Sequence, residues 1–207
     1  MEIYVTVAIV AYAVGSVNSA VLLSRKFAGF DVREKGSKNA GTTNVLRTVG
    51  KKTALLTLIC DILKGVIAVL AAIFAKTMWG VTDVQTLKYI AGFMVILGHT
   101  YPIFFEFKGG KGVATAVGVL LMLNWKIGLA CLIFGLLIIT VSKMVSLGSV
   151  SAALLFPVLS IFMQKEITFV QILLCFAIGL FVVFNHRTNI KRIKEGKENK
   201  LSFKNTK

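Results

Sequence analysis

The sequence predicts an all-α integral membrane protein with about seven transmembrane helices. Of its 207 residues 56% are hydrophobic and only 16% charged, against roughly 25% charged in a soluble domain. The mean hydropathy is +0.80. Apolar runs near the roughly 20 residues that a helix needs to cross a bilayer recur along the chain, separated by short stretches rich in Lys and Arg. A formal charge of +15 would also fit a nucleic-acid binder, but no basic-aromatic RNA motif, zinc-finger spacing or heptad zipper accompanies it. The cations fall between and after the apolar runs, as the positive-inside rule requires.

The spans follow in order within a single domain, 1–207. Residues 3–23 form the first; Glu2 precedes them, with no basic n-region and no small-residue cleavage signal, so the run reads as a retained span. Residues 53–75 form the second. Residues 89–107 form the third, interrupted in its lower half by Gly98, His99 and Pro102. The segment 112–123 is short: at about 1.5 Å per residue it reaches roughly 18 Å. It fits a short or tilted helix, or a re-entrant half-helix buried in protein. Spans at 125–141, 145–163 and 167–184 complete the set, and 185–207 is a basic tail whose last residues are expected to be disordered. Cys60, Cys131 and Cys175 lie in apolar runs without metal or redox spacing, and read as small buried hydrophobes. No matched pair of broken helices marks two halves, which argues against an inverted-repeat transporter.

Charge counting sets the sidedness. With seven crossings and the N-terminus outside, nineteen Lys and Arg lie inside, and only Lys76, Lys88, Lys126 and Lys165 outside. Three polar islands then share the inner face. The first, GSKNAGTTNVLR at 36–47, contains no carboxylate. Gly36 and Gly41 allow close backbone approach; Ser37, Thr42 and Thr43 offer hydroxyls; Asn39 and Asn44 offer amides; Lys38 and Arg47 supply charge. The second, KGGKGVAT at 108–115, leads a glycine-rich backbone into a helix N-terminus, an arrangement that exposes unpaired N–H groups to an anion. Lys108 and Lys111 add charge and Thr115 a hydroxyl. The Walker spacing is absent, so nucleotide hydrolysis is not supported; a basic interfacial turn with glycines for tight packing is the plainer alternative. The third, HRTNIKRIKEGKEN at 186–199, places His186, Arg187 and Asn189 where the last span meets the interface. His186 could act as a base or donate to an anion, or be an interfacial polar residue. Its lysines fit topology and lipid headgroups.

Further polar groups sit within the spans. His99, at membrane depth, is a functional candidate or a neutral histidine bonded to a carbonyl freed by Pro102. Asp61 and Lys64, three apart on one helical face, are expected to neutralise each other as a structural ion pair, with lining the site as the alternative. Ser146 and Ser149 in SLGS either add hydroxyls to the inner face or serve helix packing. Neither metal-ligand spacing, HxxxxD nor a GxSxG elbow is found, so an enzyme here acts by positioning and charge on a phosphorylated substrate.

Together the three islands carry a resemblance. GSKNAGTTNVLR at 36–47, GHTYPIFFEFKGGKGVATAVG at 98–118 and HRTNIKRIKEGKEN at 186–199 closely resemble the motifs of the bacterial PlsY family, the membrane acyl-phosphate:glycerol-3-phosphate acyltransferases. With SVNSAVLLSRKFAGFDVREKGS ahead of the first island and SLGS at 146–149, the likeness covers nearly the whole chain. It implies seven transmembrane helices in the bacterial cell membrane, a cytoplasmic-facing active site and no cofactor or metal. It also implies acyl transfer from acyl phosphate to the 1-hydroxyl of glycerol 3-phosphate, giving lysophosphatidate, with membrane lipids around the protein and functional coupling to an acyl-phosphate-forming enzyme. By the same resemblance Ser37, Arg47, His186 and Asn189 match catalytic positions, with Asn39 and Asn44 supporting. Gly109, Gly110, Lys111 and Gly112 match a phosphate-binding loop, and Glu198 a structural position. Lys38, Asn39, Thr43, Asn44, Lys108, Thr115, Ser146 and Arg187 are added as phosphate-binding candidates.

Two departures stand out: the family's GSGN is GSKN here and its GATN is GTTN. With a lysine at 38, that position is expected not to require a positive φ. Direct transfer is the expected mechanism; a covalent acyl-Ser37 intermediate has no activating neighbour in sequence. An anion transporter and a lipid-headgroup-binding scaffold remain as alternatives from other classes.

Overall fold

In the computed structural model residues 2–201 are described; the end of the basic tail lies outside them. The described residues are helical without strands, and cluster into two compact units, up to Asn124 and from Trp125 onward.

The first unit contains α1 (Glu2–Gly15), α2 (Ser19–Ala28), α3 (Thr42–Thr48), α4 (Lys51–Trp79), α5 (Val84–Thr100) and α6 (Val113–Leu123), with 3₁₀ turns at Val32–Glu34 and Ile103–Phe105. The first predicted span is thus two helices. The backbone departs from helix after Gly15; the Ser16 hydroxyl donates back to Tyr12 O at 2.9 Å, and the Asn18 amide oxygen caps α2 by accepting from Val21 N at 3.2 Å. Gly29, at φ 71°, ends α2 by donating its N–H to Arg25 O. Asp83 caps α5, which begins five residues earlier than predicted and stops ahead of Pro102.

α4 shows how these helices sort their side chains. Leu55, Ile59, Leu63, Ile67, Leu70 and Phe74, spaced by three or four, are exposed along one face. Ala54, Thr57, Asp61, Lys64, Gly65, Ala68 and Ala72 are buried on the other. Large apolar groups face outward and small or polar ones inward, the membrane arrangement in which close packing replaces hydrophobic expulsion from water. Glycines make that packing possible between α4 and α6: a Cβ on Gly65 would strike Thr115 O, and one on Gly118 would strike Ile62 O. α6 has no exposed residue, and within its unit it packs on α4 and α5. Cys60 faces outward on α4, unlike the buried Cys131 and Cys175; the expectation of three buried thiols fails because only one face of α4 is covered.

The second unit contains α7 (Trp125–Ser142), α8 (Val145–Met163), α9 (Phe169–Asn185) and α10 (Arg187–Lys194). α8 packs on both α7 and α9, and α10 lies against α8 and α9. α9 opens with a capping box between Thr168 and Gln171. Among the described residues, five helical segments are long and apolar enough to cross a bilayer, α1 and α2 together counting as one. α9 with α10, bent by 58°, makes a sixth, and α6 is shorter.

Candidate active site

In the first unit, the first island is a loop built around Asn44. Its amide oxygen accepts from Ser37 N at 2.9 Å, and its NH2 group donates to Val32 O and Lys35 O, both at 3.0 Å. Asn44 is 2% exposed, so a buried side chain on α3 replaces a missing secondary-structure ladder for residues 32–37. The result holds Ser37 at the surface. Asn44 therefore acts on the loop and shapes it from within. Gly41 is the residue before α3, and Thr43 and Arg47 ride on that helix, Arg47 exposed. Gly36 takes a φ of 60° beside the Asn44 side chain. Lys38 takes a φ of 59°. The lysine led to the expectation that this position does not require a positive φ; the backbone is nonetheless left-handed there, and Lys38 adopts it with a steric penalty a glycine avoids.

Two residues that the sequence reading left without a role join this island to the second. Asp31 accepts from Arg33 N at 2.9 Å and receives the Arg33 and Arg25 guanidiniums, each with a 2.8 Å contact. Burial pushes the Asp31 carboxyl up, but the hydrogen bonds from Arg33 and Arg25 outweigh it and hold the carboxyl at about 2. The Arg33 guanidinium in turn donates to Phe105 O at 2.9 Å. The available signal is a carboxylate two residues after a helix-ending glycine and two residues ahead of an arginine.

The second island meets the first at a glycine. A Cβ on Gly110 would run into His99 Nε2 and lie 2.9 Å from Ala40 O. Gly109 N donates to Thr100 O at 3.0 Å and Gly110 N to His99 O at 3.1 Å. These amides cap the end of α5, so the expectation of a loop with unpaired N–H groups is corrected for Gly109 and Gly110: their lack of a side chain is what α5 needs. Gly112, at φ 85°, turns the chain into α6. Lys111 is half-buried beside it, Lys108 is exposed and paired with Glu106 at 3.2 Å, and the Thr115 hydroxyl is buried with no hydrogen-bond partner among the described residues. Asn39 Oδ1 and Thr42 Oγ1, from the first island, are buried in the same state.

In the second unit two of the remaining candidates, Ser146 and Asn189, gather on Glu198. Its Oε1 accepts from Ser146 Oγ at 2.8 Å and Asn189 Nδ2 at 2.7 Å, and its Oε2 from Arg192 Nε at 2.8 Å. Burial raises the Glu198 carboxyl, while the bonds from Arg192, Asn189 and Ser146 prevail and hold it below the ordinary carboxylate value. Ser146 and Asn189 thus engage a carboxylate of their own chain. Leu201 N donates to Lys143 O at 2.7 Å, so the segment after α10 straps back over the α7–α8 turn. His186 is buried where α9 gives way to α10, with Nδ1 2.7 Å from Val182 O. A carbonyl can only accept, so Nδ1 carries the proton and Nε2 is the basic nitrogen of the neutral ring. Arg187 is exposed, its guanidinium stacked 4.6 Å from the Phe184 ring.

Comparison with known proteins agrees with the motifs. The family model described as glycerol-3-phosphate acyltransferase matches residues 5–196. The chain is 41% identical to the glycerol-3-phosphate acyltransferase of Clostridioides difficile (strain 630), over 99% of both chains. It is also 41% identical to that of Thermoanaerobacter pseudethanolicus, over 97% of this chain and 96% of the other. The crystal structure of PlsY, an integral membrane glycerol 3-phosphate acyltransferase, in its glycerol 3-phosphate form is 33% identical, with a TM-score of 0.85 over 96% of each chain. The lysophosphatidic acid form is 31% identical with a TM-score of 0.83, over 96% of this chain and 95% of that one. Multi-pass apolar helices, the three motif islands and end-to-end similarity agree: this chain is a bacterial-type integral membrane protein and belongs to the glycerol-3-phosphate acyltransferase family, with PlsY among its members.

Proposed function

We propose that this chain transfers a fatty acyl group from acyl phosphate to the 1-hydroxyl of glycerol 3-phosphate, releasing lysophosphatidate and inorganic phosphate, without metal or cofactor. The observation that carries the reading is the joining of two cation- and glycine-bearing islands, remote in sequence, at one place in the first unit. Gly110 lies against Ala40 O, and Arg33 reaches Phe105 O. Such a setting suits a doubly charged phosphate ester, and the solved relative bears glycerol 3-phosphate in one form and lysophosphatidic acid in another.

Acyl phosphate is a mixed anhydride, so its phosphate leaves readily. The glycerol hydroxyl attacks the acyl carbon, the new C–O bond forms, and the bond to the phosphate oxygen breaks with its electron pair. The hydroxyl proton passes to His186 Nε2 or to a phosphate oxygen of the substrate. Arg47 and Lys111 hold phosphate oxygens and stabilise the developing charge, and Ser37 orients a substrate. Lys38, Asn39, Thr43, Lys108, Thr115 and Arg187 contribute to the anion's surroundings. We also propose seven crossings, a cytoplasmic site in the bacterial plasma membrane, and supply of the donor by an acyl-phosphate-forming enzyme.

The test uses detergent-purified protein with palmitoyl phosphate and labelled glycerol 3-phosphate. Lysophosphatidate forms with the wild type, and Ser37→Ala lowers turnover at least roughly a hundredfold. Absence of product from the wild type, or equal rates in Ser37→Ala, overturns the reading. Palmitoyl-CoA in place of palmitoyl phosphate gives no product; if it does, the donor assignment is wrong. An acylated Ser37 peptide after incubation with donor alone replaces direct transfer by a covalent route.

A further inference from the structure

A buried polar cluster lies within the first unit, outside the groups given a role in acyl transfer. Asp61 Oδ1 accepts from Ser19 Oγ at 3.1 Å and from Lys64 Nζ at 3.0 Å. Lys64 Nζ also donates to Gly15 O at 3.1 Å and Val17 O at 2.9 Å, the carbonyls left without helical partners where α1 gives way to α2. The third side chain is His99, whose Nδ1 lies 3.6 Å from the same Asp61 oxygen. All three ionisable residues are buried, each 6% exposed or less. The expected pairing of Asp61 with Lys64 is present. Of the two readings open for His99, a functional group or a neutral ring bonded to a carbonyl freed by Pro102, the second lacks its carbonyl contact at Nδ1, which lies against Asp61 instead.

Asp61 and Lys64 already balance each other, so charge neutrality does not require a histidine. The other side of the His99 ring gives the reason for one. Its Nε2 is the atom that a Cβ on Gly110 would strike, with Cε1 at 3.0 Å. His99 also accepts the Gly110 N–H through its own carbonyl, and its neighbour Thr100 accepts that of Gly109. Ring and backbone of one residue therefore support the middle of the GGKG loop, directly before Lys111 and the first turn of α6.

We propose that His99 is a positioning residue for the GGKG loop. Seated by the Asp61–Lys64–Ser19 cluster, it sets the height of Gly110 against Ala40 and thereby the affinity for the phosphate of glycerol 3-phosphate, without touching it. The substrate named here rests on the acyl-transfer reading; the loop contact does not. A displacement near 1 Å of groups that hold a substrate can change reactivity by about a hundredfold, so support for the loop bears directly on binding.

The test compares His99→Ala and His99→Gln with wild type in detergent by two measurements. Hydrogen exchange over residues 105–112 rises in His99→Ala while exchange over 53–75 stays as in the wild type. In kinetics, KM for glycerol 3-phosphate rises roughly tenfold or more with kcat within about twofold, and His99→Gln, which keeps a polar side chain, recovers part of the loss. Gly110→Ala, whose Cβ meets the ring, raises KM by itself, and adding His99→Ala to it raises KM no further. The proposal is overturned by unchanged loop exchange, by faster exchange throughout residues 2–124, by a fall in kcat at constant KM, or by additive effects in the double variant. A wild type without acyl transfer sinks the functional reading, and the exchange measurement still decides the positioning of the loop.

Discussion

Lys38 occupies the left-handed region at φ 59° in the loop that presents Ser37. For a side-chain-bearing residue that backbone carries a penalty on the order of 1 kcal/mol, which glycine avoids. Lys38→Gly is therefore expected to raise the apparent Tm of the detergent-purified protein by a few degrees; an unchanged or lowered Tm refutes the account. A KM for glycerol 3-phosphate that rises at the same time assigns the Lys38 ammonium to phosphate capture. Asn44 is the opposite case, a residue whose identity the loop needs. Asn44→Ala would leave Ser37 N, Val32 O and Lys35 O without their partner, at a penalty of about 1–3 kcal/mol for a buried unsatisfied group. Its turnover is expected to fall as far as that of Ser37→Ala, with a lowered Tm that Ser37→Ala lacks. The sequence offered both asparagines of this island as substrate ligands, since an amide's chemistry is visible in a sequence but the backbone groups it meets are not.

At the scale of elements, the strap after α10 depends on one carboxylate. Glu198 has its pKa depressed in the folded protein, so its contribution is fully present above the ordinary glutamate value of about 4.3 and is lost as pH falls through the lower folded value. Protonation weakens acceptance from Arg192, Asn189 and Ser146 together. Hydrogen exchange of the Leu201 amide, corrected for its intrinsic rate, is therefore expected to show strong protection at pH 6 and progressive loss below about pH 4. Glu198→Gln should show weakened protection already at pH 6 and a flatter profile; a pH-independent wild type would refute the mechanism. The Asp31 knot with Arg25 and Arg33 follows the same sign, its carboxyl lying at about 2. Short helices α3 and α10 were absent from the sequence reading. They are only seven and eight residues long, each with two apolar side chains (Val45 and Leu46; Ile190 and Ile193), too short a pattern to stand out beside the long apolar runs, and their packing on α4 and on α8 and α9 fixes them.

For the whole molecule, the charge distribution makes a prediction about sidedness. With seven crossings, Lys38 faces the cytoplasm and Lys165 the exterior. In intact cells expressing a Cys60→Ser background, an impermeant thiol reagent is expected to label Lys165→Cys and not Lys38→Cys; the reverse pattern inverts the topology. The eleven residues of α6 pose the one length problem, since they reach only about 17 Å as a helix. With no exposed residue and with α4 and α5 packed against it, α6 is enclosed in protein, and burial in protein removes the need for full hydrophobic length.

The sequence by itself determined the membrane class, the approximate spans, the three islands and the family, because hydropathy, charge bias and motif spacing are properties of the chain that no folding step alters. Tertiary structure alone decided what each polar group faces. It turned Asn44 inward as a loop clamp, placed Ser146 and Asn189 on Glu198, used the Gly109 and Gly110 amides to finish α5, and stood His99 between Asp61 and Gly110. A hydrogen bond needs its partner within about 3 Å, and in this fold those partners come from remote segments that only packing brings together.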